Sequence, residues 1–326
     1  MAELDALLHA VLDHAFRGEL LSEELVMKQK NQHWVPRFYL RHFATPASID
    51  TAEPQVWIFS KHEGDPKLTN VKNVATKRYL YSPKHSAGGR NFEVEEKLEG
   101  LESLLAPIWH RLATRFIDLE ENESIRKIVA LFISTLYLRH PARMLDIENI
   151  HARLVAIYEE LPKDESGNPQ IAEVDYKGTI HPFNNSAYQE FKNAGPDETQ
   201  KMFVDNLQAS AIWFAEALME KRWSVVFSEE PVFITTDTPV AIKHHERDTF
   251  GIRTPGTVVS FPLSPTRVLI MDDRQDQPKG NYYPLAVHGP APFNLTAWNV
   301  CERFMISSRP TDCVCAEMVA LADQWK

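Results

Sequence analysis

The sequence predicts an α+β fold: a central helical block packed on a mostly antiparallel sheet, with an N-terminal helical extension. Three observations predict it. Helical periodicity runs through residues 93–158 and 197–220, short β-rich runs separated by turn residues fill the chain after Trp223, and residues 3–27 carry a helical pattern of their own. Helices in one block and strands in another argue against an alternating α/β chain. Residues 1–27 therefore form an extension, and 28–326 a single domain.

The extension reads as two short amphipathic helices. Leu4, Leu7, Leu8, Val11 and Leu12 keep a helical period, Gly18 breaks it, and Leu20, Leu21 and Leu25 resume. Such a hairpin packs on the body of the domain as an accessory or suits a homodimer contact. At Val35-Pro36 the proline forces its predecessor toward extended backbone and opens a short helix, placing His33 just before a helix N-terminus. Strands are expected at 55–59 and 78–81. A helix follows from Glu93 to Leu105 on the stripe Val94, Leu98, Leu101 and Leu105, and Pro107 is expected to open another, to about Asp118. The next helix starts near Asn122 and ends or kinks at Pro141, with helical pattern resuming to about Tyr158. Residues 162–182, rich in Gly, Pro, Asn and Asp, read as a surface loop. A helix from about Asp197 to Glu220 closes the block. Strands are then expected at 223–227, 232–235, 240–242, 258–261, 268–271 and 305–307, with a last helix at 312–325. No repeat of solenoid period is present.

Composition narrows the function classes. With 44% hydrophobic residues, 7 Trp and 17 Phe, the chain can fill a large core. Its net charge of −10 disfavours nonspecific coating of nucleic acid, though a local basic groove remains compatible with it. No apolar run approaches the roughly 20 residues that span a bilayer, so no membrane association is expected. The acidic residues Glu3, Asp5 and Asp13 replace the basic start of a signal peptide. The three cysteines, Cys301, Cys313 and Cys315, form no disulfide framework or metal knuckle. A cytoplasmic location is expected. Phosphate-binding glycine loops, dinucleotide fingerprints, His-Glu-x-x-His and nucleophile elbows are absent from the sequence.

The most specific segment is Lys30-Asn31-Gln32-His33-Trp34-Val35-Pro36-Arg37-Phe38-Tyr39-Leu40-Arg41-His42-Phe43. It resembles the opening motif of a bacterial domain-of-unknown-function family, DUF 4238. Further pieces agree in order: Val56-Trp57-Ile58-Phe59, Asn73-Val74-Ala75, Glu95 with Glu102, Arg139-His140-Pro141-Ala142-Arg143, Phe233 to Val240, Phe261-Pro262-Leu263-Ser264-Pro265 and Asn299 to Ser307. Thr236 and Thr238 stand where the family pattern has Ser and Asn. The resemblance covers about residues 28–308 and implies a fold-level grouping and candidate positions, with no reaction attached.

Several residues can carry chemistry. His33 can act as acid, base or metal ligand near neutral pH; alternatively Gln32 and His33 fasten a loop to the sheet. Asp237, at the end of a β-run, is a ligand or catalytic carboxylate or else a turn former before Thr238-Pro239. Arg139, His140 and Arg143 fall within about 60° of the apolar stripe that passes through Leu136. They continue a buried face and need partners, for which Glu95 and Glu102 are placed. The set is a structural ion-pair network or a pocket for an anion.

Two functional expectations follow. The first is an intracellular metal-dependent hydrolase or phosphodiesterase acting on a phosphate-containing substrate, a nucleotide or nucleic acid. His33 and Asp237 are then catalytic, Gln32, Arg139 and Arg143 hold the anionic substrate, and a divalent metal is the cofactor, its ligands undetermined. The second is a non-catalytic binding or interaction module, in defence or stress response, whose polar cluster is structural.

Overall fold

The computed structural model describes residues 30–84, 88–119, 121–176, 179–286 and 289–324. The expected N-terminal hairpin lies outside them. The first element is the strand β1 (Asn31–His33), so His33 belongs to a strand and not to a loop before a helix. Pro36, at φ −62°, then opens the five-residue helix α1 (Arg37–Arg41) with the backbone angle its ring imposes. β2 (Gln55–Ser60) and β3 (Pro66–Asn70) form an antiparallel pair, and β4 (Thr76–Arg78) returns to pair with β1. The strand expected over 78–81 stops at Arg78 because Tyr79 takes a left-handed φ of 54° and turns the chain.

The helical block comprises α2 (Glu93–Thr114), α3 (Glu123–Leu138) and α4 (Pro141–Glu159). After the hairpin β5 (Glu173–Tyr176) and β6 (Thr179–Pro182), it continues with α5 (Asn185–Lys192) and α6 (Pro196–Glu220). α2 runs through Pro107 instead of restarting there. The proline forfeits the bond to the carbonyl of Ser103, and both residues lie on the exposed side, where water meets the freed carbonyl. The hairpin β5–β6 sits inside the region expected to be a loop. Its short β-forming runs, including Val174, Tyr176, Thr179 and Ile180, are masked in sequence by the Gly and Pro around them. α3 is the buried centre of the block, with α6 as its main neighbour.

The rest of the chain builds two sheets. β7 (Arg222–Phe227), β8 (Thr235–Thr236), β9 (Ala241–Lys243), β10 (Val258–Ser264), β11 (Arg267–Asp272) and β12 (Tyr282–Pro284) are followed by α7 (Ala291–Val300), β13 (Phe304–Ser307) and α8 (Thr311–Gln324). The five-stranded sheet has the order β12-β7-β11-β10-β9 and is antiparallel except for β12 beside β7; the four-stranded sheet has the order β3-β2-β13-β8. No helix among the described residues is long and apolar enough to cross a membrane.

Aromatic packing joins the block to the sheets. Tyr39 of α1 stacks on Phe261 of β10 at 5.5 Å between centroids, while Trp109 of α2 meets Phe132 of α3 at 5.1 Å. Each ring that carries a polar atom also finds a partner. Trp109 Nε1 donates to the Leu263 carbonyl at 3.1 Å. The Tyr39 hydroxyl donates to the Pro262 carbonyl at 2.8 Å and lies 2.7 Å from Thr235 Oγ1. Arg267 of β11 adds a cap, donating to the Ala113 and Thr114 carbonyls at the end of α2 at 2.6 and 2.9 Å. Tyr39→Phe, which leaves Thr235 and the Pro262 carbonyl without their buried partner, should lower unfolding free energy by about 1–3 kcal/mol in urea titration.

Candidate functional site

Strand alternation decides what β1 presents to each side. Gln32 is fully buried, its Nε2 donating to Ser82 Oγ at 2.6 Å and its Oε1 accepting from Tyr81 N at 2.7 Å. Both ends of the amide are thus used to hold the turn after β4. His33 faces the other way and is half-buried. Its Nε2 lies 3.2 Å from the Lys72 carbonyl, which places the proton on Nε2 and leaves Nδ1 as an acceptor. Burial, reinforced by Arg37 and Arg139, lowers the His33 pKa to about 4. The ring is neutral at pH 7.

Arg139 follows the last turn of α3 and is only 1% exposed. Its Nε donates to the Trp34 carbonyl at 2.8 Å and its Nη1 to Glu102 Oε1 at 2.9 Å. Glu102 therefore supplies the partner that the helical wheel requires. Arg139 Nη2 has no hydrogen-bond partner among the described residues.

Glu95, Glu99 and Glu102 project from one face of α2, being four and three residues apart. With His33, Arg37 and Arg139 they line a cleft of about 330 Å³. Burial drives the Glu95 pKa up to about 8 against the pull of Arg139, and Glu102 and Glu99 add to the rise. Glu99 is raised by burial and by its neighbours Glu102 and Glu96. The cleft thus holds a carboxylic acid that keeps its proton at neutral pH beside an imidazole that has lost one.

The structure brings His33 and Arg139 to this cleft, while Gln32, Asp237 and Arg143 do not line it. Asp237, fully buried, accepts from the backbone N–H groups of Glu302 (3.2 Å), Arg303 (3.0 Å) and Phe304 (3.5 Å). His140 Nε2 lies 3.6 Å from Asp237 Oδ2, just beyond hydrogen-bond distance. His140 Nδ1 accepts from Ala142 N at 3.1 Å and so caps α4, and its ring meets Trp34 edge-on at 5.7 Å. His140, Trp34, Thr76, Glu302 and Arg303 border a second cleft of about 380 Å³. Arg143 pairs with Asp146 at 2.7 Å and lies over the Tyr137 ring, reaching neither cleft.

Sequence reasoning passed over Arg37 and Glu99 as site residues. The 95–99–102 spacing on one helix face was the available signal for Glu99; Arg37 had none beyond its place after Pro36. No group of three or more His, Cys, Asp or Glu among the described residues is arranged to hold a metal ion. Cys301, Cys313 and Cys315 are free thiols.

The fold and site define an α+β domain whose opening strand builds the wall of a polar cleft. A family model described as a protein of unknown function (DUF4238) matches residues 31–311, and the chain belongs to this family. The match begins at β1 and so takes in both clefts. No curated protein and no solved structure matches the chain.

Asp237→Ala should lower stability by about 2–5 kcal/mol in urea, since it strands buried N–H donors. Glu95 gives a pH signature. Its folded pKa of about 8 exceeds the ordinary 4.5, so its contribution to stability is complete below 4.5 and is lost as pH rises through 8. Glu95→Gln should therefore gain stability relative to the native protein as pH increases across that window, followed by denaturant midpoints at a series of pH values.

Proposed function

We propose that the α2 cleft is the acid–base site of a hydrolase-type enzyme acting on a small polar substrate. The observation that carries this reading is the convergence of His33, Glu95 and the buried Arg139–Glu102 pair on one cleft. Paired groups whose environments push their pKa values apart mark an acid and a base. Glu95 would give its proton to the leaving group while His33 takes one from the attacking water. The Arg139–Glu102 pair would hold the wall that positions them, and Nη2 of Arg139 is a donor for a substrate oxygen.

The charge balance bears on the substrate. Arg139 is already engaged by Glu102 and Trp34, Arg143 is directed to Asp146, and Glu99 adds further negative charge. Arg37 lines the cleft as well and sets one positive charge against the carboxyl groups of α2. The cleft thus holds no surplus of positive charge for a phosphate dianion, and the reading favours a bond flanked by neutral groups, such as an ester, amide or glycoside. A reducing cytoplasmic setting is part of the proposal and is supported by the three free thiols.

A second reading, a binding module whose polar residues only lock the fold, is favoured by Gln32 and Asp237, which are fully buried with their polar atoms taken. A panel of chromogenic nitrophenyl glycosides, esters, amides and phosphates separates the two. Turnover of a neutral substrate should be highest between about pH 4 and 8 and fall about 10²–10⁴-fold in Glu95→Gln and in His33→Gln, with both variants still folded. Turnover that survives both substitutions, or none for any substrate class, would favour the module.

A further inference from the structure

The two faces of the five-stranded sheet differ in kind. On one, Trp223, Val225, Phe261, Leu269 and Met271 enter the main core. On the other, residues of opposite parity are brought side by side by the strand register: Ser224 beside Ile270, Ile270 beside Ser260, and Val258 beside Lys243. That second face does not close on a hydrophobic layer. It floors a cavity of about 510 Å³, walled by Pro292, Phe293 and Thr296 of α7 and by Tyr283 of β12. The volume is in the range of small-molecule sites.

The charges around the cavity do not cancel. Arg222 and Asp272 neutralise each other through a two-point ion pair, Nε to Oδ1 at 2.8 Å and Nη2 to Oδ2 at 2.6 Å. Lys243 and Arg274 remain. Lys243 is half-buried, and its ammonium reaches only Thr296 Oγ1, at 3.3 Å, with no carboxylate partner among the described residues. Burial lowers its pKa, the mark of a cation without a counter-charge. Arg274 stands at the rim, and its guanidinium also has no carboxylate within ion-pair distance among the described residues. Its backbone N–H donates to Asp272, and its charge acts on that carboxylate only from beyond ion-pair distance. His245 lies at the same mouth. In a chain of net charge −10, two cations outside any ion pair over a floor that mixes Val226, Val258 and Ile270 with Ser224 and Ser260 are a local reversal of sign.

We propose that this cavity binds a small organic anion, its carboxylate or phosphate headgroup held between Lys243 and Arg274 and its apolar body laid on Val226, Val258, Ile270 and Phe293. A charge brought out of water is stabilised by an opposite charge and by charge-assisted hydrogen bonds, and an anionic ligand supplies both. The apolar walls select for a molecule with a hydrocarbon or aromatic body over an inorganic ion. The site involves neither His33 nor Glu95, so it stands independently of the acid–base reading.

The test is calorimetric titration of the full chain with benzoate, phenyl phosphate and, as a neutral match in shape, benzyl alcohol. Saturable binding of at least one anion is expected, weakened at least about tenfold in Lys243→Gln and in Arg274→Gln, with the alcohol at least about tenfold weaker than that anion. The stronger of the two anions identifies the headgroup. Arg274 is exposed, so its substitution keeps the fold and decides the matter even where Lys243→Gln does not fold. Glu95→Gln should bind like the native protein. Absence of binding by both anions, equal binding by the alcohol, or undiminished binding by Arg274→Gln would overturn the proposal.

Discussion

Trp34 is the constraint through which the rest is organised. Its backbone N–H donates to the Ala75 carbonyl at 2.9 Å, its indole Nε1 to the Asp237 carbonyl at 3.0 Å, and its own carbonyl accepts from Arg139 Nε at 2.8 Å. One residue therefore ties the β1–β4 ribbon to the end of β8 and to the end of α3. Because Trp34 is almost completely buried, none of these bonds competes with water. The ribbon they hold is bracketed by two non-glycine residues in left-handed conformation, Ala75 at φ 51° and Tyr79 at φ 54°. Each costs about 1–2 kcal/mol. Both accept that cost where their backbones bond to β1 and its flanks, Ala75 to Trp34 and Tyr79 to Lys30.

The same anchorage sets the electrostatics of the α2 cleft. Arg139 cannot shed its charge, so burying it obliges the fold to supply acceptors. Trp34 provides a carbonyl and Glu102 a carboxylate, and their positions bring α2 against β1 with its acidic face turned to His33. Burial in that cleft, with Glu102 and Glu99 adding to it and Arg139 opposing it, then pushes Glu95 toward its protonated form. Asp237 solves the same problem differently. Its charge is met by the backbone N–H groups of residues 302–304, a rigid and local solution that leaves little capacity for a ligand.

How much of this could be read in the chain depends on the range of the interaction. α3 and its end at Pro141 were legible because buried periodicity and a proline are local signals. The same wheel put Arg139, His140 and Arg143 on the buried face, with Glu95 or Glu102 as partners. Of these, Arg139 and His140 are buried, Arg143 is only half-buried, and Glu102 is the one that receives Arg139. The opening motif was legible as an anchor. What was not legible is which polar atoms are already satisfied. Gln32 spends its amide on Tyr81 and Ser82, and Asp237 spends its carboxylate on a segment some 65 residues further on. No pattern within either segment announces those partners. α7 escaped notice because Ala291 to Val300 is apolar with little amphipathic contrast, and β12 because it is three residues long.

Satisfaction also separates architecture from function in this fold. Buried polar atoms are almost always paired, and an unpaired one calls for a reason. Unpaired atoms alone are insufficient here, since Arg143 Nε and Arg267 Nε share that condition while their guanidinium groups serve the surface of α4 and the end of α2. Arg139 Nη2 differs in belonging to a side chain that walls a cleft, and Lys243 in facing a cavity whose carboxylate, Asp272, is already taken by Arg222. Where unspent hydrogen-bonding capacity coincides with open volume, the fold has left room for something outside itself. Gln32, Asp237 and Arg222, each fully engaged by its own chain, are the counter-examples that give that criterion its discrimination.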